Sequence, residues 1–388
     1  MLHIEHLETV IDTLSATVLH NRQKLQANIE TALHWLNAAP DSAALQDHVA
    51  GLRATHWPGA IPVTSAALNT RYATVEQPPR GTLLIAVDGS QIFPDRHAAV
   101  LYYLIQVGGL TFCYDGSTPI PHNRPALYFE NRDLYDERGY PISAEKVGRQ
   151  RLVEEMAYLA ELAEDAASFS PTPARLAITD GPLLWGYPER NQEDYLALRA
   201  YLAALTTIQQ ARTIPVGYVD RPGGRALLDL LWAAQLPPER LRDEVGANPL
   251  HFFSDEQLMQ HFLAPGERTV WFKRGTEANQ RHAGAGHEVY FCYFNVGDDQ
   301  HAVITRIEVP VWATEDEAAM AVLHTSLYDQ ARVLNGYPYV LARAHEEALV
   351  TTKDKAALDN IIQQRLFAQG VMAQPSEKAR QKSYLGRR

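Results

Sequence analysis

Two apolar runs, each closed by Asp-Gly, constrain the fold of this chain more than any other feature. Leu83–Val87 (LLIAV) ends on Asp88-Gly89, and Ala174–Thr179 (ARLAIT) ends on Asp180-Gly181-Pro182. Runs of this length closed by turn residues read as buried strands. Gly89 would let the backbone turn tightly behind Asp88 at the strand end. Parallel strands bring their C-terminal ends to one rim, where α/β sheets bind ligands. If these two strands are adjacent and parallel, Asp88 and Asp180 share that rim. Two carboxylates so close repel, and one keeps a proton unless a cation sits between them. The pattern therefore points to a divalent metal. Asp-Gly is also ordinary turn chemistry, and a further copy at Asp115–Ser117 reads as a turn.

Around these runs the pattern is that of an α/β chain. Ala98–Gly108 and Leu110–Tyr114 read as strands split by a hairpin turn at Gly108-Gly109, and residues 118–140 as a loop. Ser143–Ala167 reads as a helix with Leu152, Met156, Leu159, Ala160 and Ala163 on one face. Glu155 sits at the edge of that face, while Glu154 and Glu161 point away. Glu155 could reach past the sheet rim, or be one more solvated acid. Glu193–Arg212 is a further helix, and Ile214–Val219 a strand followed by Asp220-Arg221-Pro222-Gly223-Gly224-Arg225. Arg221 and Arg225 could hold backbone phosphates or close a salt-bridged turn. No Gly-Lys-Ser/Thr follows, so the loop is not a nucleotide P-loop.

Residues 226–268 read as irregular helix, and Val270–Lys273, Val289–Phe294 and Ala302–Pro310 as strands. Their aromatics fit a core better than a base-stacking platform. His282 and His287 fall in a Gly/Ala-rich loop with no zinc pattern. A helix over Glu315–Leu334 stops at Asn335-Gly336. Pro338 opens the next, with Leu341, His345 and Leu349 on its inward face; residues 352–374 continue helical. His345 there is either a buried structural histidine or a partner for a carboxylate-lined metal site.

The first 38 residues carry an apolar stripe, Leu7, Val10, Ile11, Leu14, Val18, Leu25, Ile29, Leu33 and Leu36, and a short helix over Ser42–Arg53 follows with Asp41 as its cap. Residues 1–75 thus form a helical arm. Residues 76–374 form the main domain, with a helical insertion near 226–268, and 375–388 a basic tail. That tail holds five basic residues within Lys378–Arg388 and reads as a solubilising end. Nothing approaches the roughly 18 apolar residues of a membrane span. The N-terminus does not read as a secretory signal. Two cysteines, Cys113 and Cys292, fit a reduced, cytoplasmic protein. A net charge of −11 argues against a broad basic face for nucleic acid, though not against a local groove.

The ordered segments AVDGSQ, LAITDGPL and GYPYVLARAHE, spread over about residues 81–350, resemble the NurA nuclease family. The resemblance implies an RNase H-like core with mixed sheet and flanking helices. It also implies an Mn²⁺- or Mg²⁺-dependent deoxyribonuclease of the single-strand endonuclease and 5′–3′ exonuclease type. Such an enzyme would act on single-stranded DNA or DNA ends in end resection and repair. The implied assembly is a homodimer working with a HerA-type hexameric ATPase translocase. By position, the resemblance assigns Asp88, Glu155, Asp180, Tyr337 and His345 to the site, with Glu154 as the fallback for the helix glutamate. Asp88, Glu155, Asp180 and His345 would be metal ligands. Where family members commonly place a lysine, this chain has Asp220-Arg221, and Arg221 or Arg225 could stand in on nucleic acid. Two other readings remain: an inactive adaptor that docks on the translocase, and a small-molecule phosphatase.

Overall fold

The computed structural model describes residues 7–52, 57–74, 77–136, 138–167 and 174–371, excepting the side chains of residues 20 and 21. In chain order the elements begin with α1 (Glu8–Ala38), α2 (Ser42–Ala50), β1 (Ala60–Pro62), β2 (Tyr72–Ala73), β3 (Leu83–Ile92), β4 (Tyr103–Cys113) and β5 (Ile120–Tyr128). Next come α3 (Asn131–Leu134), α4 (Ala144–Ala167), β6 (Arg175–Asp180), α5 (Gln192–Gln210), β7 (Ile214–Asp220), α6 (Ala226–Ala233), α7 (Pro238–Glu244) and α8 (Asp255–Met259). The chain continues through β8 (Glu267–Arg268), β9 (Phe272–Arg274), α9 (Glu277–Gly284), β10 (Val289–Asn295) and β11 (Ile304–Pro310). It closes with α10 (Glu317–Val333), α11 (Tyr339–Ala348) and α12 (Thr352–Ala368). The fold is mixed α/β with flanking helices.

The chain divides into two compact units. One comprises Pro78–Asp180, Trp185–Val216 and Tyr337–Arg388; the other comprises Met1–Gln77, Gly181–Leu184 and Gly217–Gly336.

In the first unit the strand order is β6-β3-β4-β5. β3 runs parallel to β6 and antiparallel to β4, and β4 runs antiparallel to β5. Leu83–Val87 are all buried, as a strand covered on both faces requires. Successive strand residues point to opposite faces. Gly89 meets Glu155 and Arg151 of α4, while Asp88 meets His345 of α11, so the two helices cover opposite faces of β3. α4 buries Met156, Leu159, Ala160 and Ala163; α11 buries Val340, Leu341, Ala344 and Ala348. Fully burying a Met, Leu or Val side chain stabilises by roughly 1.5–3 kcal/mol. Asn191 caps α5 through Oδ1, which accepts from Asp194 N at 2.9 Å.

The second unit is antiparallel. β10 pairs with β9 and β11, β9 with β1, and residues 217–220 of β7 with β11. Its core joins Ile29, Leu36, Leu45, Leu227, Leu231, Phe272, Phe291 and Tyr293. Only the C-terminal half of α1 takes part. Val10, Leu14 and Val18, on the same stripe, are exposed.

Several sequence expectations are corrected. β4 passes straight through Gly108-Gly109 with no hairpin there, so three expected strands are two. Glycine is required at 108 because α11 lies against it: a Cβ would overlap the backbone of Glu347 and Ala348. The expected loop over 118–140 contains β5 and α3; its alternating exposure is that of a half-covered strand. Asp88 is not at a strand end, since β3 continues to Ile92. His282 lies in α9 and not in a loop. His345 is exposed, as is Leu349, because α11 turns Val340, Leu341, Ala344 and Ala348 inward. The basic tail lies outside the described residues.

Candidate active site

β3 and β6 pair in parallel register through Val87↔Thr179. The next residue on each strand is an aspartate, Asp88 and Asp180, so both acids stand at the point where the pairing ends. Neighbouring strands are about 4.8 Å apart. Asp88 is held from two sides: Gly89 N donates to Oδ1 at 2.7 Å, and His345 Nδ1 donates to Oδ2 at 2.6 Å. Ser90, two residues on and facing the same way, donates from Oγ to the Ala348 carbonyl. Gln106 Nε2 donates to the Glu347 carbonyl at 3.3 Å. These contacts fix the C-terminal end of α11 over β3 and β4, and with it the imidazole.

Glu155 approaches β3 on the face covered by α4. It is buried, with Arg151 Nε 3.1 Å from Oε1 in a geometry too oblique for a hydrogen bond. Oε1 accepts no hydrogen bond. Arg151 is itself anchored, its Nη1 donating to Gly89 O at 3.0 Å and Gln91 Oε1 at 3.1 Å. Burial pushes the Glu155 carboxyl up to about 8; Arg151 opposes the rise, and the charges of Asp88 and Asp180 add to it. Glu155 thus lies within electrostatic reach of both aspartates.

Glu154, the alternative helix acid, is engaged elsewhere: Oε1 accepts from Tyr128 OH at 2.7 Å and from Gln150 Nε2 at 3.0 Å. Glu161 pairs with Arg124 at 2.7 Å. Both contact β5, and Glu161 is exposed.

Tyr337 stands half-buried just before Pro338, the N-cap of α11, at the opposite end of that helix from His345. Arg221 and Arg225 belong to the antiparallel unit. Arg221 is exposed with φ +45°, and Arg225 Nη2 lies 3.9 Å from Asp229 Oδ1. Among the described residues, no three His, Cys, Asp or Glu side chains already form a closed metal cage. Arg151 was not singled out from sequence. Its position four residues before Glu155 is a helix ion-pair signature that could have found it.

Asp88 and Asp180 thus follow the last paired residues of β3 and β6, and His345 is hydrogen-bonded to Asp88. The NurA domain family model matches residues 82–350, well over half of the chain, and the chain belongs to the NurA family of nucleases. Membership implies a nuclease-type function. A crystal structure of NurA with manganese is similar over 88% of this chain and 97% of that one, at 11% identity and a TM-score of 0.38. A second NurA crystal structure aligns over 82% and 95%, at 11% identity and a TM-score of 0.41. Drosophila Piwi aligns over 70% of this chain and 29% of its own, at 12% identity and a TM-score of 0.28. No curated protein matches. Among the described residues, no helix is long and apolar enough to cross a membrane.

Proposed function

We propose that this chain is a divalent-metal-dependent deoxyribonuclease that hydrolyses phosphodiesters in single-stranded DNA or at DNA ends. The supporting observation is that Asp88 and Asp180 directly follow the last paired residues of the parallel strands β3 and β6, while α4 brings to β3 a buried glutamate whose Oε1 lacks a hydrogen bond. Such crowding is relieved by a cation. Three carboxylates and an imidazole suit Mn²⁺, and also Mg²⁺. Asp88, Glu155, Asp180 and His345 would hold the ion. When bound, it would supply positive charge to the phosphate and acidify a water.

The protein's own groups do the rest. Asp88 accepts from His345 Nδ1, which fixes the tautomer and leaves Nε2 on an exposed ring to accept or return a proton. Arg151 keeps Glu155 in place at Gly89. Tyr337 would position phosphate or water, and Arg221 and Arg225 would contact the DNA backbone. Family membership also supports an RNase H-like core, a cytoplasmic homodimer, and work with a HerA-type translocase in end resection.

The deciding experiment incubates purified protein with labelled single- and double-stranded DNA, with Mn²⁺, Mg²⁺ or chelator. Cleavage that needs metal and is abolished in Asp88→Ala and Asp180→Ala supports the proposal. Undiminished cleavage in either variant refutes the site. DNA binding without cleavage under any metal would favour an adaptor.

A further inference from the structure

The antiparallel unit carries a group of arginines around Gly224. A Cβ at Gly224 would lie 3.2 Å from Arg274 Nη2 and 4.0 Å from Arg306 Nη1. Arg225 is the next residue in the chain. Arg274 and Arg306 also place their guanidinium carbons 5.8 and 5.9 Å from the same Phe291 ring. Three cations thus come from β9, β11 and the loop before α6.

The nearby acids are largely committed. Glu308 accepts from Arg306 Nε at 2.8 Å and lies 2.7 Å from its Nη2, and it also accepts from Leu183 N and Leu184 N. Arg306 Nη1 is left on the Gly224 side. Asp255 accepts from Leu227 N, Leu228 N and Tyr293 OH. Asp229 accepts from Asn248 and meets Arg225 only at 3.9 Å. Among the described residues, Arg274 makes no ion pair or hydrogen bond through its guanidinium. Donors of Arg274 and Arg306 thus face a residue with no side chain.

We infer that Arg225, Arg274 and Arg306 form a phosphate-binding subsite at Gly224 that grips one phosphodiester of a single-stranded DNA substrate. This deepens the nuclease reading and rests on it. Guanidinium forks suit phosphate oxygens. In a chain of net charge −11, such a local cluster supplies attraction that the protein as a whole does not. The missing side chain at 224 lets the backbone of the ligand approach.

The test uses the full chain in chelator, so that nothing is cleaved, and a fluorescein-labelled oligothymidylate titrated across salt concentrations. Arg274→Gln should weaken binding and reduce the log K against log[salt] slope by about 0.7, the value for one phosphate contact on a single strand. Arg225→Gln should do the same. Gly224→Ala, which presses only on the mobile tip of Arg274, should weaken binding with little change in unfolding midpoint. Inorganic phosphate serves as competitor. Displacement of the oligonucleotide only at concentrations that act through ionic strength identifies the backbone of a strand as ligand. Displacement at low phosphate overturns that choice in favour of a free-phosphate site. An unchanged slope in folded Arg274→Gln and Arg225→Gln overturns the subsite, whatever the cleavage assay shows.

Discussion

The space that a side chain at Gly89 would fill is occupied by the Glu155 carboxylate: a Cβ there would overlap Oε1 of Glu155 and approach Arg151 Cγ at 2.9 Å. Gly89 sits in the middle of β3, where glycine costs strand stability. Its missing side chain leaves room for the carboxylate of Glu155 on α4.

The two glycines on neighbouring strands should fail differently. Gly89→Ala presses on the tip of a flexible glutamate, so its stability cost is about 1 kcal/mol, while Glu155 is displaced and cleavage falls at least about tenfold, roughly the effect of losing 1.4 kcal/mol in the transition state. Gly108→Ala meets the backbone of α11, which cannot yield without moving the helix. It should cost about 3 kcal/mol. Urea unfolding beside initial cleavage rates separates the two. Equal stability losses would show that α4 and α11 do not constrain β3 in this way.

Metal-free protein should show the Glu155 proton in its stability. The folded carboxyl titrates at about 8, against 4.5 for the ordinary group. Between those values the folded state holds a proton that the unfolded chain has released. Stability contributed by this group is therefore present below about pH 4.5 and lost as pH rises toward 8, by up to about 1.4 kcal/mol per pH unit. Glu155→Gln should remove that slope. Denaturant unfolding in chelator at several pH values, wild type against variant, gives the comparison. Parallel curves would mean that Glu155 is ionised throughout.

The parts of the site that were legible in the sequence are those carried by local pattern. LLIAV and RLAIT are strands because short apolar runs between turn residues bury well, and their common Asp-Gly endings located Asp88 and Asp180. The errors came from tertiary demands on glycine. Gly89 and Gly108-Gly109 look like turns in one dimension, but two of them are clearances for α4 and α11, a fact visible only once the helices are placed. The same holds for His345. Spacing put it with Leu341, yet the wheel cannot tell a core face from its flank, and the ring is exposed against Asp88. β5 escaped notice because its two prolines and Arg124 mask the alternation of a half-covered strand. The Arg274–Arg306 neighbourhood joins residues far apart in sequence, through pairing of β9, β10 and β11, and leaves no local signature.

Removing one charge from the rim should be felt by the others. Asp180→Asn takes away a neighbour that raises the Glu155 carboxyl, so Glu155 should titrate lower, as a carbon-13 NMR titration of the side chain would report. Cleavage should be abolished while the unfolding midpoint stays level or rises, because like-charge crowding is reduced. A Glu155 titration that does not move would place Asp180 outside the cluster.

Acid should destabilise the protein through its buried histidines, and His324 is the clearest case. It packs edge-on against Phe294, with ring centroids 4.5 Å apart. Burial, reinforced by the charge of Arg268, pushes its imidazole down to about 3. The unfolded chain takes up this proton near 6.5, while the folded state refuses it until far lower pH. The unfolded state thus binds more protons throughout that window, and stability rises with pH across it. The contribution is complete above about 6.5 and is lost as pH falls toward 3, by up to about 1.4 kcal/mol per unit. Asp255, buried and held up to about 6, acts in the opposite sense over part of the same range, so the wild-type curve alone is ambiguous. His324→Phe keeps the ring contact and cannot be protonated. The difference between wild type and variant, measured by urea unfolding from pH 4.5 to 7.5, should shift steadily in favour of wild type as pH rises and level off above about 6.5. A difference that does not change with pH would show that the folded imidazole takes up its proton in the same range as the unfolded one.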